Sequence, residues 1–349
     1  MSPDVSAVVV SHRSSREALD CVASLSAAFE AEGVRGEVVL VDCGSGAAEV
    51  ARLSTAGADV VVPLAENRGY SGGVNAGLAR ATSPRILLCN SDVVFAAGAL
   101  APLLEAVDDR SVGAAAPLAF WDGAGRVRLP AGWAPGFLSD LAQLSAGRRP
   151  ARDAARFAGF ARESLRLWEK GGSARHLTGA VLAARREVFD RVGRFDERFP
   201  FEYEETEWED RVRARGLELR LVARSRVRHL WGASAAVSSD VAARRAESRR
   251  VYRSRRYGRL GRAILDRADR RRADPGFPAL AYPAFPAASG AWVAISPNPS
   301  LLPFAAAPLD ADFSLPGEIV ARLPPSRFYF RVFRAADGRP LETWSWEKA

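Results

Sequence analysis

Cysteine is scarce: Cys21, Cys43 and Cys89 are the three in 349 residues. An odd number cannot pair completely, and their separations match no metal-ligand pattern. A disulfide scaffold and a cysteine-based zinc site are therefore excluded, and a reducing, cytoplasmic compartment is expected. Histidine is equally rare, at three residues. Lysine is represented by Lys170 and Lys348 alone, so arginine carries nearly all the positive charge. Long apolar runs are missing too. Val8 to Val10 is cut short by Ser11, His12 and Arg13, so no secretory leader is expected. The charge-free stretch from Pro275 to Leu309 is interrupted by eight prolines and cannot form one membrane-spanning helix.

The composition that remains is that of a folding chain, with 48% hydrophobic and 26% charged residues and a length that suggests two domains, or one with an appendage. The net charge of +8 is concentrated. Between Asp240 and Asp274 thirteen arginines face five acids, so this segment holds the whole excess and is expected to meet an anionic partner. Few aromatics interleave with those arginines, only Tyr252 and Tyr257, and no recognition motif accompanies them. Nucleic acid is not the expected partner.

Ser6 to Val10, Glu37 to Val41, Asp59 to Leu64 and Arg85 to Cys89 are aliphatic runs with little alternation, as in strands buried on both faces. Helical segments lie between them at Ser15 to Ala31, Ala47 to Ala56 and Ser71 to Ala81. Such alternation predicts βαβ units and a parallel sheet, whose ligands bind at the carboxyl ends of the strands. Those ends read Ser11-His12-Arg13, Asp42-Cys43-Gly44-Ser45, Glu66-Asn67-Arg68-Gly69 and Asn90-Ser91-Asp92. From about Asp122 to Ala174 the pattern breaks, which marks an insertion with one helix near Asp153 to Trp168. It resumes with a strand at His176 to Ala184, a helix at Tyr203 to Arg215 and a strand at Glu218 to Val227. A polar helix is predicted from about Ser238 to Arg272. Beyond it, Arg327 to Arg334 and Leu341 to Glu347 alternate in phase around Asp337-Gly338, a hairpin signal. Two strands bury too little alone, so they are expected either to gain strands, including Ala291 to Ile295 and Glu318 to Leu323, or to dock on the preceding domain.

Four constellations carry polar chemistry. Glu66 to Gly77 joins a strand to a helix through glycines that let a backbone approach a diphosphate, although a tight turn explains them equally well. The first strand ends without glycine, so this is not a dinucleotide-binding fingerprint. Asp92 follows a buried strand, where a carboxylate must be satisfied by a cap, a partner or a divalent cation. Six acids, Glu202, Glu204, Glu205, Glu207, Glu209 and Asp210, crowd nine residues at a helix start; helical spacing prevents all of them from sharing one pocket. His229 follows the last strand of the alternating region, while His12 and His176 show no comparable partner in the sequence. No nucleophile elbow exists, because Gly44-Ser45-Gly46 has the wrong spacing and Cys43 has no local histidine.

In order, these motifs resemble the inverting glycosyltransferases of family 2, in particular bacterial rhamnosyltransferase-like members, over about residues 5 to 262. The resemblance rests on Val41-Asp42-Cys43-Gly44-Ser45, on Asn67, Gly69, Tyr70, Gly73, Asn75 and Gly77 of one glycine-rich motif, and on Asn90-Ser91-Asp92. It continues in Gly179-Ala180, in Gly193-Arg194-Phe195-Asp196-Glu197, in Glu204 to Arg211 with Gly216, and in His229-Leu230-Trp231-Gly232. The fold it implies is α/β, a GT-A type nucleotide-diphospho-sugar transferase with a mostly parallel central sheet over residues 1–232. A basic helical segment at 233–274 and a small β-rich module at 275–349 would follow.

The resemblance further implies Mn²⁺ or Mg²⁺ held by Asp92 and His229, and a nucleotide-diphosphate sugar, dTDP-rhamnose being the first expectation. The donor would be bound by Ser11, Arg13, Asp42, Asn67, Gly69, Gly72, Gly73, Asn75, Asn90 and Ser91. Glu205 stands where the family has its catalytic aspartate, one methylene longer, and either it or Glu204 would be the base. Gly179, Ala180, Glu207 and Trp231 would lie on the acceptor side or behind the site. The acceptor would be a glycan or a lipid-linked sugar in polysaccharide or cell-envelope synthesis. The expected partners also include an anionic membrane surface met by residues 240–274, on the inner face of the cytoplasmic membrane, and a second copy of the chain. The rival expectations are an inactive scaffold subunit and anionic-polymer binding through the arginine-rich helix.

Overall fold

A computed structural model describes residues 2–133, 135–144, 150–231, 241–269 and 276–348. In chain order, β1 (Val5–Ser11), α1 (Ser15–Glu32), β2 (Gly36–Cys43), α2 (Ala47–Leu53), β3 (Val60–Leu64), α3 (Gly69–Leu78) and β4 (Arg85–Asn90) alternate. Next come β5 (Val93–Phe95), α4 (Leu100–Asp108), β6 (Val112–Phe120), α5 (Phe137–Leu144) and α6 (Pro150–Lys170). These lead to β7 (Gly172–Ala174), β8 (Val181–Arg185), α7 (Arg186–Val192), α8 (Glu204–Ala214) and β9 (Glu218–His229). The rest comprises α9 (Val241–Asp269), β10 (Ala284–Phe285), β11 (Ala291–Ser296), β12 (Ala305–Pro308), β13 (Phe313–Ser314), α10 (Gly317–Arg322), β14 (Ser326–Arg334) and β15 (Pro340–Lys348).

The chain divides into two units, Met1–Ala119 with Gly171–Tyr252, and Phe120–Lys170 with Arg253–Ala349. The grouping follows packing and not the linear order 1–232, 233–274 and 275–349. Phe157 of α6 meets Phe304 at 5.1 Å and Phe333 at 5.4 Å, and Trp168 stacks on Trp292 at 5.7 Å. These ring contacts tie the stretch read as an insertion to the C-terminal strands.

In the first unit one sheet has the order β3-β2-β1-β4-β8-β6-β9-β5, with β7 also on β9. β1 to β4 run parallel, in a register that sets Ser11 beside Asp42, Asp42 beside Pro63 and Val10 beside Asn90. Every residue of β1 is buried, the reason its sequence is apolar without alternation. β8 joins β4 antiparallel, as β5 and β7 join β9. Trp208 of α8 is fully buried and stacks on Phe189 of α7 at 4.9 Å.

The second unit holds a four-stranded antiparallel sheet, β12-β11-β14-β15, and the small β10-β13 pair. The hairpin pairs Phe328 with Trp346 and Phe330 with Trp344. Phe328, Phe330, Phe333 and Trp346 are buried, so the alternating aromatics form core.

Three sequence readings are corrected. Glu318 to Leu323 is not a strand: α10 follows Pro316, buries Ile319 and pairs Glu318 with Arg322 four residues on. The strand predicted from His176 begins only at Val181, because the Leu177 amide is turned to the Glu209 carboxylate instead of to a neighbouring strand. Gly258 (φ 70°, ψ 179°) breaks α9 into two pieces, which a continuous pattern of arginines concealed. The predicted ends of that helix, Ser238 to Asp240 and 270–272, lie outside the described residues.

Glycines let α3 lie directly on the parallel strands. A Cβ on Gly77 would stand 2.2 Å from Val8 Cγ1, and one on Gly73 would stand 2.5 Å from Val10 Cγ1 and 2.7 Å from Cys43 Sγ. Helix propensity alone favours Gly→Ala by about 1 kcal/mol. At Gly77 the overlap with a β-branched side chain in a fully buried strand outweighs that gain, since overpacking costs about 1–3 kcal/mol. Gly77→Ala is expected to lower the unfolding free energy by a net ~1–2 kcal/mol, read as a lower urea midpoint. Gly159→Ala in α6, where a Cβ meets nothing within 4 Å, should be neutral or slightly stabilising.

Candidate functional site

Because β1 to β4 are parallel, their polar termini share one edge of the sheet. Ser11 is buried, and its hydroxyl lies 3.0 Å from that of Ser14, which reaches Ser91 at 2.8 Å. Arg13 is exposed, with φ 52°, and its amide donates to Ser45 Oγ at 2.8 Å. Asp42 is 1% exposed. Its Oδ2 accepts from the Ser45 amide at 2.9 Å, while Oδ1 is buried with no hydrogen-bond partner among the described residues. That oxygen can accept from a ligand N–H or O–H. His12 Nδ1 lies 2.8 Å from the Cys43 carbonyl, a partner its sequence neighbourhood did not show. Burial, with the Asp42 charge adding to it, pushes the Cys43 thiol up to about 12, so it is no nucleophile at neutral pH.

The turn into α3 requires glycine. Gly69 has φ 71°, and a Cβ there would meet the Pro200 carbonyl oxygen at 2.9 Å; its amide is bound by Asn67 Oδ1 at 2.9 Å. At Gly72 a Cβ would meet Arg68 Cβ at 2.4 Å, and at Gly73 the missing side chain makes room for β1 and β2. Asn75 spends its side chain structurally. Its Nδ2 donates at 2.9 Å to both the Phe195 carbonyl and Glu197 Oε1, while Oδ1 accepts from the Phe195 amide at 3.2 Å. Asn90 closes β4 with its amide on the Ala180 carbonyl at 2.9 Å.

Asp92 and His229 come together. β5 pairs antiparallel with the end of β9, the Leu230 amide donates to the Asp92 carbonyl at 3.0 Å, and His229 Nε2 lies 3.3 Å from Asp92 Oδ1. Both residues are buried. Two donor atoms at that separation can share one cation at about 2.1 Å from each. No group of three or more His, Cys, Asp or Glu side chains gathers for a metal among the described residues. A hard cation with two protein ligands and further oxygens from a bound ligand and water fits this pair. Trp231 is 40% exposed, and Gly232 lies outside the described residues.

The six crowded acids separate at the head of α8. Glu202 (φ 62°) and Tyr203 (φ 71°) both take left-handed backbone, a strained conformation for such residues that costs roughly 1–3 kcal/mol each. It is held by the Phe201 amide on Ser248 Oγ at 3.1 Å, by Arg245 on Glu202 at 2.6 Å, and by the Tyr203 and Tyr252 rings 5.2 Å apart. Glu207 turns to Arg211 at 2.9 Å, and Asp210 accepts from the Tyr252 hydroxyl at 2.9 Å. Glu207 is thus fixed by an arginine that also binds the Val192 and Arg194 carbonyls. Glu209 is buried on His176, whose Nε2 lies 3.1 Å from Thr206 Oγ1.

Glu204 and Glu205 remain. Glu204 is buried, with Oε2 unbonded among the described residues, and burial together with the Glu205 charge drives its carboxyl well above the usual range. Glu205 lies against Gly179, where a Cβ would stand 3.1 Å from Glu205 Cγ. Burial, opposed by His176 and reinforced by Glu209, pushes the Glu205 carboxyl up to about 7. The Tyr70 hydroxyl donates to the Gly179 carbonyl at 3.2 Å. Burial raises that phenol far above its ordinary value, and the charges of Cys89, Glu204, Glu205 and Asp92 add to the rise.

A profile of glycosyl transferase family 2 matches residues 6–193. The chain belongs to glycosyl transferase family 2. The matched residues span most of the first unit and the 120–170 stretch of the second. No curated protein sequence matches the chain. Among solved structures, it is similar to GalNAc-T7 with UDP, GalNAc and Mn²⁺, at 18% identity and a TM-score of 0.47, over 65% of this chain and 43% of that one. It is also similar to the mannosyltransferase PcManGT from Pyrobaculum calidifontis in complex with GDP-Man and Mn²⁺, at 15% identity and a TM-score of 0.45, over 77% of this chain and 74% of that one.

In this family 2 chain the motif positions and the tertiary site overlap but are not the same set. Asp42, Asp92, His229, Glu204 and Glu205 offer polar groups, whereas Gly73, Asn75 and Glu207 are accounted for by packing and structural bonds. Tyr70, His176, Thr206 and Glu209 belong to the site's wall and were not singled out as site residues from the sequence. The glycine-rich motif contains Tyr70, and the acidic stretch from Glu204 to Arg211 contains Thr206 and Glu209, while nothing around His176 carried a signal.

Glu205 makes stability depend on pH. A carboxyl held at about 7 when folded, against 4.5 when free, binds more protons in the folded state between those values, so its contribution to stability falls as pH rises through that window. Glu205→Gln removes this penalty. The variant is expected to exceed the parent by on the order of 1–3 kcal/mol at pH 8 and by much less at pH 5, as read by urea unfolding at the two pH values.

Proposed function

We propose that the chain transfers a sugar, with inversion, from a nucleotide-diphosphate sugar to a hydroxyl of a glycan or lipid-linked acceptor. The observation that carries this reading is Glu205, a carboxyl at the head of α8 with its pKa brought to about 7, beside the Gly179 turn and the Tyr70 ring. A general base works best when its pKa lies near the operating pH. Glu204, its pKa driven well above the usual range by burial and the Glu205 charge, is the poorer candidate. Family membership supports the donor class, and a dTDP-linked rhamnose is the specific donor the sequence resemblance implies.

In this reading Asp42 Oδ1 accepts from the nucleoside, and the Ser11–Ser14–Ser91 hydroxyls flank it. The amides at the start of α3 face the diphosphate, in the manner of helix N-termini towards anions. Asp92 and His229 would hold Mn²⁺ or Mg²⁺, which when bound supplies charge stabilisation to the departing nucleoside diphosphate. Glu205 takes the proton from the acceptor hydroxyl as the oxygen attacks the anomeric carbon on the face opposite the leaving group. The single displacement inverts that centre.

Glu205→Gln keeps size and polarity but accepts no proton, so transfer should fall by roughly 100-fold or more while donor binding persists, as measured by product formation and by calorimetry. Asp92→Ala should instead abolish Mn²⁺-dependent donor binding. A dead Glu204→Gln with an active Glu205→Gln would move the base by one residue.

We further propose that the second piece of α9 touches an anionic membrane. Leu260 and Ile264 are 76% and 41% exposed, one helical turn apart, with Arg259 and Arg267 exposed on the same piece. No helix among the described residues is long and apolar enough to cross a membrane, so the contact would be peripheral. The protein should float with anionic but not neutral liposomes at low salt, and Leu260→Ser with Ile264→Ser should weaken flotation. Failure to float with anionic vesicles would reject the proposal.

A further inference from the structure

We propose that the buried pair His176–Glu209 is a positioning device for Glu205, its imidazolium keeping that carboxylate ionised and set against the Gly179 turn. The inference rests on the reading of Glu205 as the base. Glu205 and Glu209 stand four residues apart on α8 and so share a face. The segment before β8 runs alongside that face. His176 and the Leu177 amide meet Glu209, and two residues later Gly179 meets Glu205. Two extended residues span about 6.6 Å and one helical turn about 5.4 Å, so the matched spacing sets His176 against Glu209 and about one turn from Glu205, where its charge bears on that carboxyl.

The imidazole is held at both nitrogens. Nδ1 faces Glu209 and Nε2 faces Thr206 Oγ1 at 3.1 Å, which fixes the ring. Burial works against its charge, but the Glu209 charge and hydrogen bond, joined by the Glu205 and Asp210 charges, outweigh burial and raise the His176 pKa. The other ionisable groups that bear on the cluster are Glu204 beside Glu205 on α8, Glu202 just before that helix, Asp210 near His176, and the Tyr70 phenol. Apart from His176, every one of these is an acid. Two neighbouring buried carboxylates cannot both stay ionised without a compensating charge, and one would take up a proton. His176 supplies that charge. A pair kept only for stability is the weaker explanation, because a buried ion pair can often be replaced by apolar residues at no loss.

The two explanations separate on a double substitution. His176→Leu leaves Glu205 facing Glu209 alone, so the acid limb of the kcat/KM–pH profile should move up by about one unit or more. Adding Glu209→Leu removes the second charge, and the limb should return most of the way. His176→Gln, which keeps a hydrogen-bonding group and loses the charge, should reproduce the single-variant shift if the leucine variant folds poorly. Carbon-13 NMR titration of Glu205 in the same proteins should show the same movements without reference to turnover. An unmoved Glu205 titration in His176→Gln, or a shift that Glu209→Leu fails to reverse, would overturn the inference. Full transfer by Glu205→Gln would reject the base assignment instead, and the NMR titration would still decide whether His176 controls Glu205.

Discussion

Carboxylates out of water repel one another and resist ionisation, and the first unit is organised around that difficulty at the head of α8. Six acids within nine residues are tolerable only because the fold sends four of them to separate partners. Arg245, Arg211, His176 and Tyr252 take Glu202, Glu207, Glu209 and Asp210. Glu204 and Glu205 are left with raised pKa values. The strained backbone at Glu202 and Tyr203 is part of the same arrangement, since it starts the helix where these two side chains turn inward.

The parallel strands solve a different problem, that of bringing polar groups from distant parts of the chain to one edge. Register aligns Ser11 with Asp42, and Val10 with Asn90, and antiparallel pairing of β5 with β9 sets Asp92 on His229. Close packing at Gly73 and Gly77 lets α3 lie against β1 and β2. A larger residue there would lift the helix and with it the Asn67–Gly69 turn. The glycines thus act at one remove from the chemistry, through the position of a backbone.

The second unit is held by aromatic contacts that join residues far apart in sequence. Phe157, Phe304 and Phe333 meet in one cluster, Trp168 stacks on Trp292, and Arg128 lies over the Trp292 ring at 4.9 Å. Arg331 is 9% exposed over Phe157 at 4.6 Å, and its burial lowers the guanidinium pKa to about 10. These contacts explain why residues 120–170 group with the C-terminal strands although a long stretch of the first unit intervenes.

The sequence by itself determined the elements whose cause is local. Buried parallel strands read as unbroken aliphatic runs, hairpin strands read as alternation around Asp337-Gly338, and the motif order led to family 2, because patterning and turn chemistry are properties of neighbouring residues. It could not determine that Glu318 to Leu323 coils into a helix, since a short apolar run fits either period until its partners are known. Nor could it assign the six acids. Helical spacing showed that they diverge, but which one meets a histidine 33 residues earlier and which is left to titrate near neutrality depends on what each side chain faces. Desolvation and charge pairing act through space, and only the tertiary structure sets those distances.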